Sequence, residues 1–109
     1  MKLDLKKIDK YAYYNGTSFN YSDSEKFSIY TRIAKATHFY CAISGISFKL
    51  YQVKSNGLWR IEKRNGFRTS YYNYKTKRTN RVNKNMDIRK YDADIFTAAE
   101  HFLTLVEKL

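Results

Sequence analysis

The sequence predicts an α+β domain: an antiparallel β-meander with a C-terminal helix packed on one face, and a second helix at about 24–36. Three observations carry this expectation. Three of the four glycines follow asparagine, at Asn15-Gly16, Asn56-Gly57 and Asn65-Gly66, and Asn-Gly tolerates the positive φ angles of a tight hairpin turn. The segments beside the second and third pairs alternate apolar and polar residues, the period of a half-buried strand. The C-terminal segment instead repeats its apolar residues every three or four positions, the period of a helix.

Taken in order, residues 11–21 read as a hairpin about Asn15-Gly16, with Tyr11, Tyr13, Phe19 and Tyr21 alternating with smaller or polar groups. Residues 22–45 admit two readings. Ser22 and Glu25 form a capping box, after which Phe27, Tyr30, Ile33 and Ala34 fall at helical spacing. Phe27, Ile29 and Ile33 also fit a strand, so the segment divides best into a helix at 24–36 and a strand at 38–44. Residues 46–54 place Phe48, Leu50 and Gln52 on one face and Lys49, Tyr51 and Val53 on the other. Residues 58–64 place Trp59 and Ile61 opposite Arg60, Glu62 and Arg64, and 67–75 form a third, Tyr-rich strand. Residues 76–93 read as a basic, exposed connection with one short strand at Met86–Arg89. In the last helix Thr97 and Glu100 form a capping box behind Asp92 and Asp94. Its stripe runs from Ala98 and Ala99 through Phe102, Leu105 and Val106 to Leu109.

Composition bounds the rest. A chain of 109 residues favours one domain spanning 1–109. Hydrophobic residues at 43% and charged residues at 28% belong to a globular chain rather than a disordered one. Cys41 is the sole cysteine, so no internal disulfide forms, which fits a reducing, cytoplasmic setting. No apolar run has the length of a signal core or a membrane span, so no membrane partner is expected. The formal net charge of +11 calls for an acidic partner.

The stretch 57–81, GLWRIEKRNGFRTSYYNYKTKRTNR, points to nucleic acid, DNA or RNA, or a nuclease complex containing it as the expected partner. Its cations Arg60, Lys63, Arg64, Arg68, Lys75, Lys77, Arg78 and Arg81 stand against a single acid, Glu62, and are interleaved with large rings. Cations neutralise phosphates while flat rings stack on bases. A β-ribbon placing Arg60, Arg64, Arg68 and Tyr72 on one exposed face suits base contact, with Lys63, Lys75, Lys77 and Arg78 on phosphates. Trp59, Ile61, Phe67 and Tyr71 are then expected beneath the helix.

Competing chemistries find less support. His38-x-x-Cys41 offers two metal ligands where structural zinc takes four, and Cys41 in an apolar run reads as a buried thiol. Asp87, Asp92, Asp94 and Glu100 offer carboxylates for a divalent cation, but Asp92 and Asp94 read as helix-start charges. No Gly-rich phosphate loop or nucleophile elbow is present, and no cofactor or metal is expected. A metal-independent RNA-cleaving toxin recruiting Arg60, Arg64, Arg68, Tyr72 and Lys75 is a third reading.

Gly57-Leu58-Trp59, the basic strands around it and Ile95-Phe96-Thr97-Ala98-Ala99-Glu100 resemble the Apetala-type DNA-binding domain and the related arm-binding domain of phage and transposon integrases. The resemblance covers residues 51–107 and implies that exposed residues of a three-stranded sheet read the major groove. It carries over to Trp59, Arg60, Arg64 and Arg68. The 76–96 connection is longer than the family's, and residues 1–45 have no counterpart. The abundance of Lys, Asn, Tyr, Ile and Phe fits the AT-rich genome of a phage or other mobile element. Short basic domains of that origin also resemble anti-CRISPR inhibitors of host defence, for which the rings are protein anchors on an RNA-guided nuclease.

Overall fold

A computed structural model describes residues 5–13, 33, 35–81 and 88–109. It shows the expected class: an antiparallel sheet with a C-terminal helix across one face. Helix α1 spans Leu5–Asp9. The strands are β1 (Ala12–Tyr13), β2 (His38–Ile43), β3 (Ile46–Gln52), β4 (Trp59–Asn65), β5 (Arg68–Asn73), β6 (Arg78–Asn80) and β7 (Asp92–Ala93). A 3-10 turn covers Ile88–Tyr91, and helix α2 covers Ile95–Glu107. The sheet order is β1-β2-β3-β4-β5-β6, with β7 pairing β4.

Two-residue periodicity sorts the strands into a helix-side face and a second face that no other described element covers, the open face. The helix side holds the core: Phe39 of β2, Phe48 and Leu50 of β3, Trp59 and Ile61 of β4, and Tyr72 of β5. Ala98, Ala99, Phe102, Leu103 and Val106 of α2 close it. Phe102 touches Tyr11 edge-on at 5.9 Å and Phe39 at 6.2 Å, while Phe39 meets Trp59 at 6.0 Å. Ile8 of α1 and Ile33 belong to the same cluster. The α1 turn, absent from the sequence expectations, packs on α2.

The turns explain where expected and observed registers part. Ser44-Gly45 links β2 to β3 with positive φ at both residues, 54° and 82°, the type I′ pattern. Asn56-Gly57 is not a two-residue turn. It lies in the longer 53–58 connection between the paired Gln52 and Trp59, where Val53 N donates to the Leu58 carbonyl at 2.7 Å. Asn65-Gly66 is displaced by one position: Asn65 pairs with Arg68, so the central residues are Gly66 and Phe67. Only Gly66 of those two has positive φ, 62°, which matches type II′.

The two-residue turn fixes the faces of β5, pairing Arg64 with Thr69 and Glu62 with Tyr71, so Tyr71 and not Tyr72 shares the face of Arg64. Tyr72, expected on the exposed face, is buried, and Tyr71 takes the open face. Phe67, expected in the core, is fully exposed at the hairpin tip. Arg68 shares its side of the sheet with Asn65 rather than with Arg64.

Two further expectations are corrected. Ile88 and Arg89, expected in a strand, lie in the 3-10 turn. The cap of α2 is Asp94, three residues before Thr97: its carboxylate accepts from Thr97 N at 3.1 Å and from the Thr97 hydroxyl at 2.6 Å. The hairpin expected at 11–21 and the helix expected at 24–36 lie almost wholly outside the described residues.

Candidate nucleic-acid interface

The open face is built in cross-strand rows. One row runs Tyr13, His38, Tyr51, Arg60, Asp92 across β1, β2, β3, β4 and β7. The next runs Tyr40, Lys49, Glu62, Tyr71, Asn80 across β2 to β6. Ser47, Arg64 and Thr69 follow. Within these rows a groove of about 440 Å³ is lined by Tyr13, His38, Tyr40, Ser47, Lys49, Glu62 and Arg64.

Local contacts set each group. The rings of Tyr13 and His38 stack, 4.7 Å apart and 6° from parallel. The Thr37 hydroxyl donates to the Tyr13 carbonyl at 2.9 Å and lies 3.1 Å from His38 Nδ1. A hydroxyl has one hydrogen, and both contacts are satisfied together only when the carbonyl takes it. The contact with the ring therefore runs from Nδ1–H to the hydroxyl oxygen, leaving Nε2 of the neutral imidazole with a free lone pair. Partial burial, and secondarily the charge of Lys49, hold the His38 pKa below its ordinary value. Glu62, mostly shielded from solvent, accepts from Arg64 Nε at 2.6 Å, and the Arg64 side chain is 65% exposed. Tyr40 is 40% and Tyr13 50% exposed.

Of the residues singled out in the sequence, Arg60 and Arg64 lie on this face, and Arg78 joins it at the β6 edge by register. Arg60 is already occupied. It donates from Nε to Asp92 Oδ1 at 2.7 Å and from Nη2 to Oδ2 at 3.0 Å, and stands 5.7 Å from the centre of the Tyr71 ring. The hydrogen bonds to Asp92 outweigh desolvation and raise its pKa.

Trp59 and Tyr72 are core residues, 4% exposed. Tyr72 contacts His101 Nδ1 through its hydroxyl at 2.8 Å. Lys63 shares the helix side of β4, with its Nζ 5.8 Å from the Phe48 ring centre. Arg68 lies on that side as well. Lys75 and Lys77 sit in the β5–β6 turn and Arg81 follows β6, all exposed. The cations of 57–81 are therefore divided between two faces and a turn and do not form one platform.

The groove draws instead on His38, Tyr40, Lys49 and Tyr13, residues that were not chosen from sequence. The missed signal was Ser44-Gly45, a tight-turn dipeptide that pairs 38–43 with 46–52 and brings those rows together.

Neither remaining metal reading gathers a ligand set. His38 and Cys41, three residues apart on one strand, point to opposite faces. Asp92 is committed to Arg60, and Asp94 to the helix cap. Among the described residues no three His, Cys, Asp or Glu side chains gather as a metal site, and no helix is long and apolar enough to cross a membrane.

Comparison of the chain with protein-family models, curated proteins and solved structures finds no match.

Proposed function

We propose that this protein binds single-stranded nucleic acid across the open face of its sheet. The supporting observation is the width of that face. The row from Tyr40 to Asn80 crosses β2 to β6, and at about 4.8 Å per strand gap it spans ~19 Å. An undistorted major groove is only about 12 Å wide. A face of this width meets a duplex groove poorly but accommodates a single strand laid across it. Tyr13 and Tyr40 offer ring faces for bases, and Lys49 and Arg64 offer charge for phosphates. The +11 net charge supplies long-range attraction.

Fluorescence anisotropy with a labelled single-stranded oligonucleotide and its duplex tests this. The single strand is expected to bind about tenfold tighter or more, with Tyr40→Ala costing about 1–3 kcal/mol of that affinity. Equal or tighter binding of the duplex would count against it.

Phe67 supports a second reading. A fully exposed phenylalanine at a hairpin tip, near the 48%-exposed Ile43 end of the neighbouring hairpin, suits a protein anchor. Under that reading the chain inhibits an RNA-guided nuclease complex of the host. Phe67→Ser then abolishes binding to the complex while affinity for bare nucleic acid is unchanged.

A further inference from the structure

We propose that the groove on the open face cleaves RNA, with His38 as general base, Lys49 as general acid and Arg64 on the phosphate. This rests on the binding reading above and adds a substrate class and a reaction to it. RNA carries its own nucleophile, the ribose 2′-hydroxyl, so cleavage needs only a group to take a proton, a group to return one, and positive charge at phosphorus.

The groove holds all three within one cavity. His38 is oriented as a base. Its Nδ1–H is held by Thr37, whose own hydrogen goes to Tyr13, and its ring is fixed by the stack on Tyr13. The lone pair on Nε2 is the one left for a substrate proton, and the lowered pKa keeps it available near neutrality. Lys49 lines the same groove, its Nζ 5.8 Å from the ring centre of Tyr51, the residue paired with His38. Arg64, 65% exposed, is anchored through Nε to the shielded carboxylate of Glu62, which leaves its terminal nitrogens for phosphoryl oxygens. Glu62 is thus a positioning residue: its distance from Arg64 accounts for an acid set into the middle of a basic face.

The reaction balances without a co-reactant. His38 Nε2 takes the 2′-hydroxyl proton, the 2′-oxygen forms a bond to phosphorus, and the bond from phosphorus to the 5′-oxygen breaks. The Lys49 ammonium gives its proton to the departing 5′-oxygen. The products are a 2′,3′-cyclic phosphate and a 5′-hydroxyl, and solvent resets both side chains.

The test uses the full chain with an end-labelled RNA oligonucleotide and its 2′-deoxy counterpart, reading binding by anisotropy and cleavage by product end groups. The expected result is RNA cut to cyclic-phosphate ends while the deoxy strand is bound and left intact. His38→Gln should slow cleavage about a hundredfold or more with affinity changed less than about threefold, and Lys49→Gln should slow it too. The end-group result needs no variant, so it stands even if a substitution unfolds the chain. RNA bound but uncut, or cut equally fast by His38→Gln, overturns this proposal and leaves the binding reading intact. Failure to bind either strand overturns both.

Discussion

Asp92 accepts three hydrogen bonds on a side chain closed to solvent: two from Arg60 and one from Asn56 Nδ2 at 2.9 Å. Removing one partner of such a pair leaves the other charge uncompensated and costs about 3–5 kcal/mol. Asp92→Ala is therefore expected to destabilise the protein by about that amount in urea denaturation. The same geometry makes Arg60 a structural residue, so loss of binding in Arg60→Ala should track loss of fold. Two histidines set the acid response. Burial lowers the pKa of His101, with Lys77 adding to the effect and Glu100 opposing it, and burial and Lys49 lower that of His38. A folded-state pKa below the unfolded value means that the unfolded chain takes up protons first. Stability from these groups is therefore complete above about pH 6.5 and is lost as pH falls through the lower folded values. Asp94, held low chiefly by its hydrogen bond from Thr97, adds a second loss only below about pH 4. The urea midpoint is expected to drop between pH 7 and 5, and His101→Gln should flatten that slope.

At the scale of elements, hairpin register decides which side chains meet. The alternation of 46–52 and 59–64 was legible because each strand carries a clean apolar row, Phe48 and Leu50 or Trp59 and Ile61, that only one face can bury. The third strand was not legible, because Tyr71 and Tyr72 are adjacent and identical, and nothing in their chemistry says which goes inward. The pairing across the two-residue turn settles it, setting Tyr71 opposite Glu62, and Gly66 at φ 62° holds that turn. Gly66→Val places a β-branched residue in the left-handed region and is expected to cost about 1–2 kcal/mol or more. Phe67→Ser, one residue on, should change stability by less than about 0.5 kcal/mol because Phe67 makes no core contact. The helix was legible in most of its stripe, with Ala98, Ala99, Phe102 and Val106 buried, but Leu103 is a core residue that the stripe omitted, Leu109 lies exposed beyond the helix, and the start was not legible. Both Asp94 and Thr97 are cap formers, and Asp94 wins because it begins the helix early enough for Ala98 and Ala99 to reach the core. Asp94→Ala should cost about 1 kcal/mol by chemical denaturation.

For the whole molecule, charge and ring content support the proposed class of partner, while the fold determines which residues share a surface. A basic run in sequence looks continuous, but strand alternation sends Lys63 and Arg68 to one side and Arg64 to the other. The groove on the open face gains its rings, Tyr13, His38 and Tyr40, from β1 and β2, distant in sequence, and no local pattern in 57–81 reveals that. If about four phosphates are engaged, affinity for a single strand should fall about fiftyfold between 50 and 200 mM salt. The most direct test maps where the strand lies. Photo-crosslinking of a 4-thiouridine oligonucleotide, followed by mass spectrometry of the adducts, should place crosslinks on Tyr13, Tyr40 and Tyr51 of the open face. Adducts confined to α2, the β5–β6 turn or the Phe67 tip, with the open face unmodified, would contradict the account.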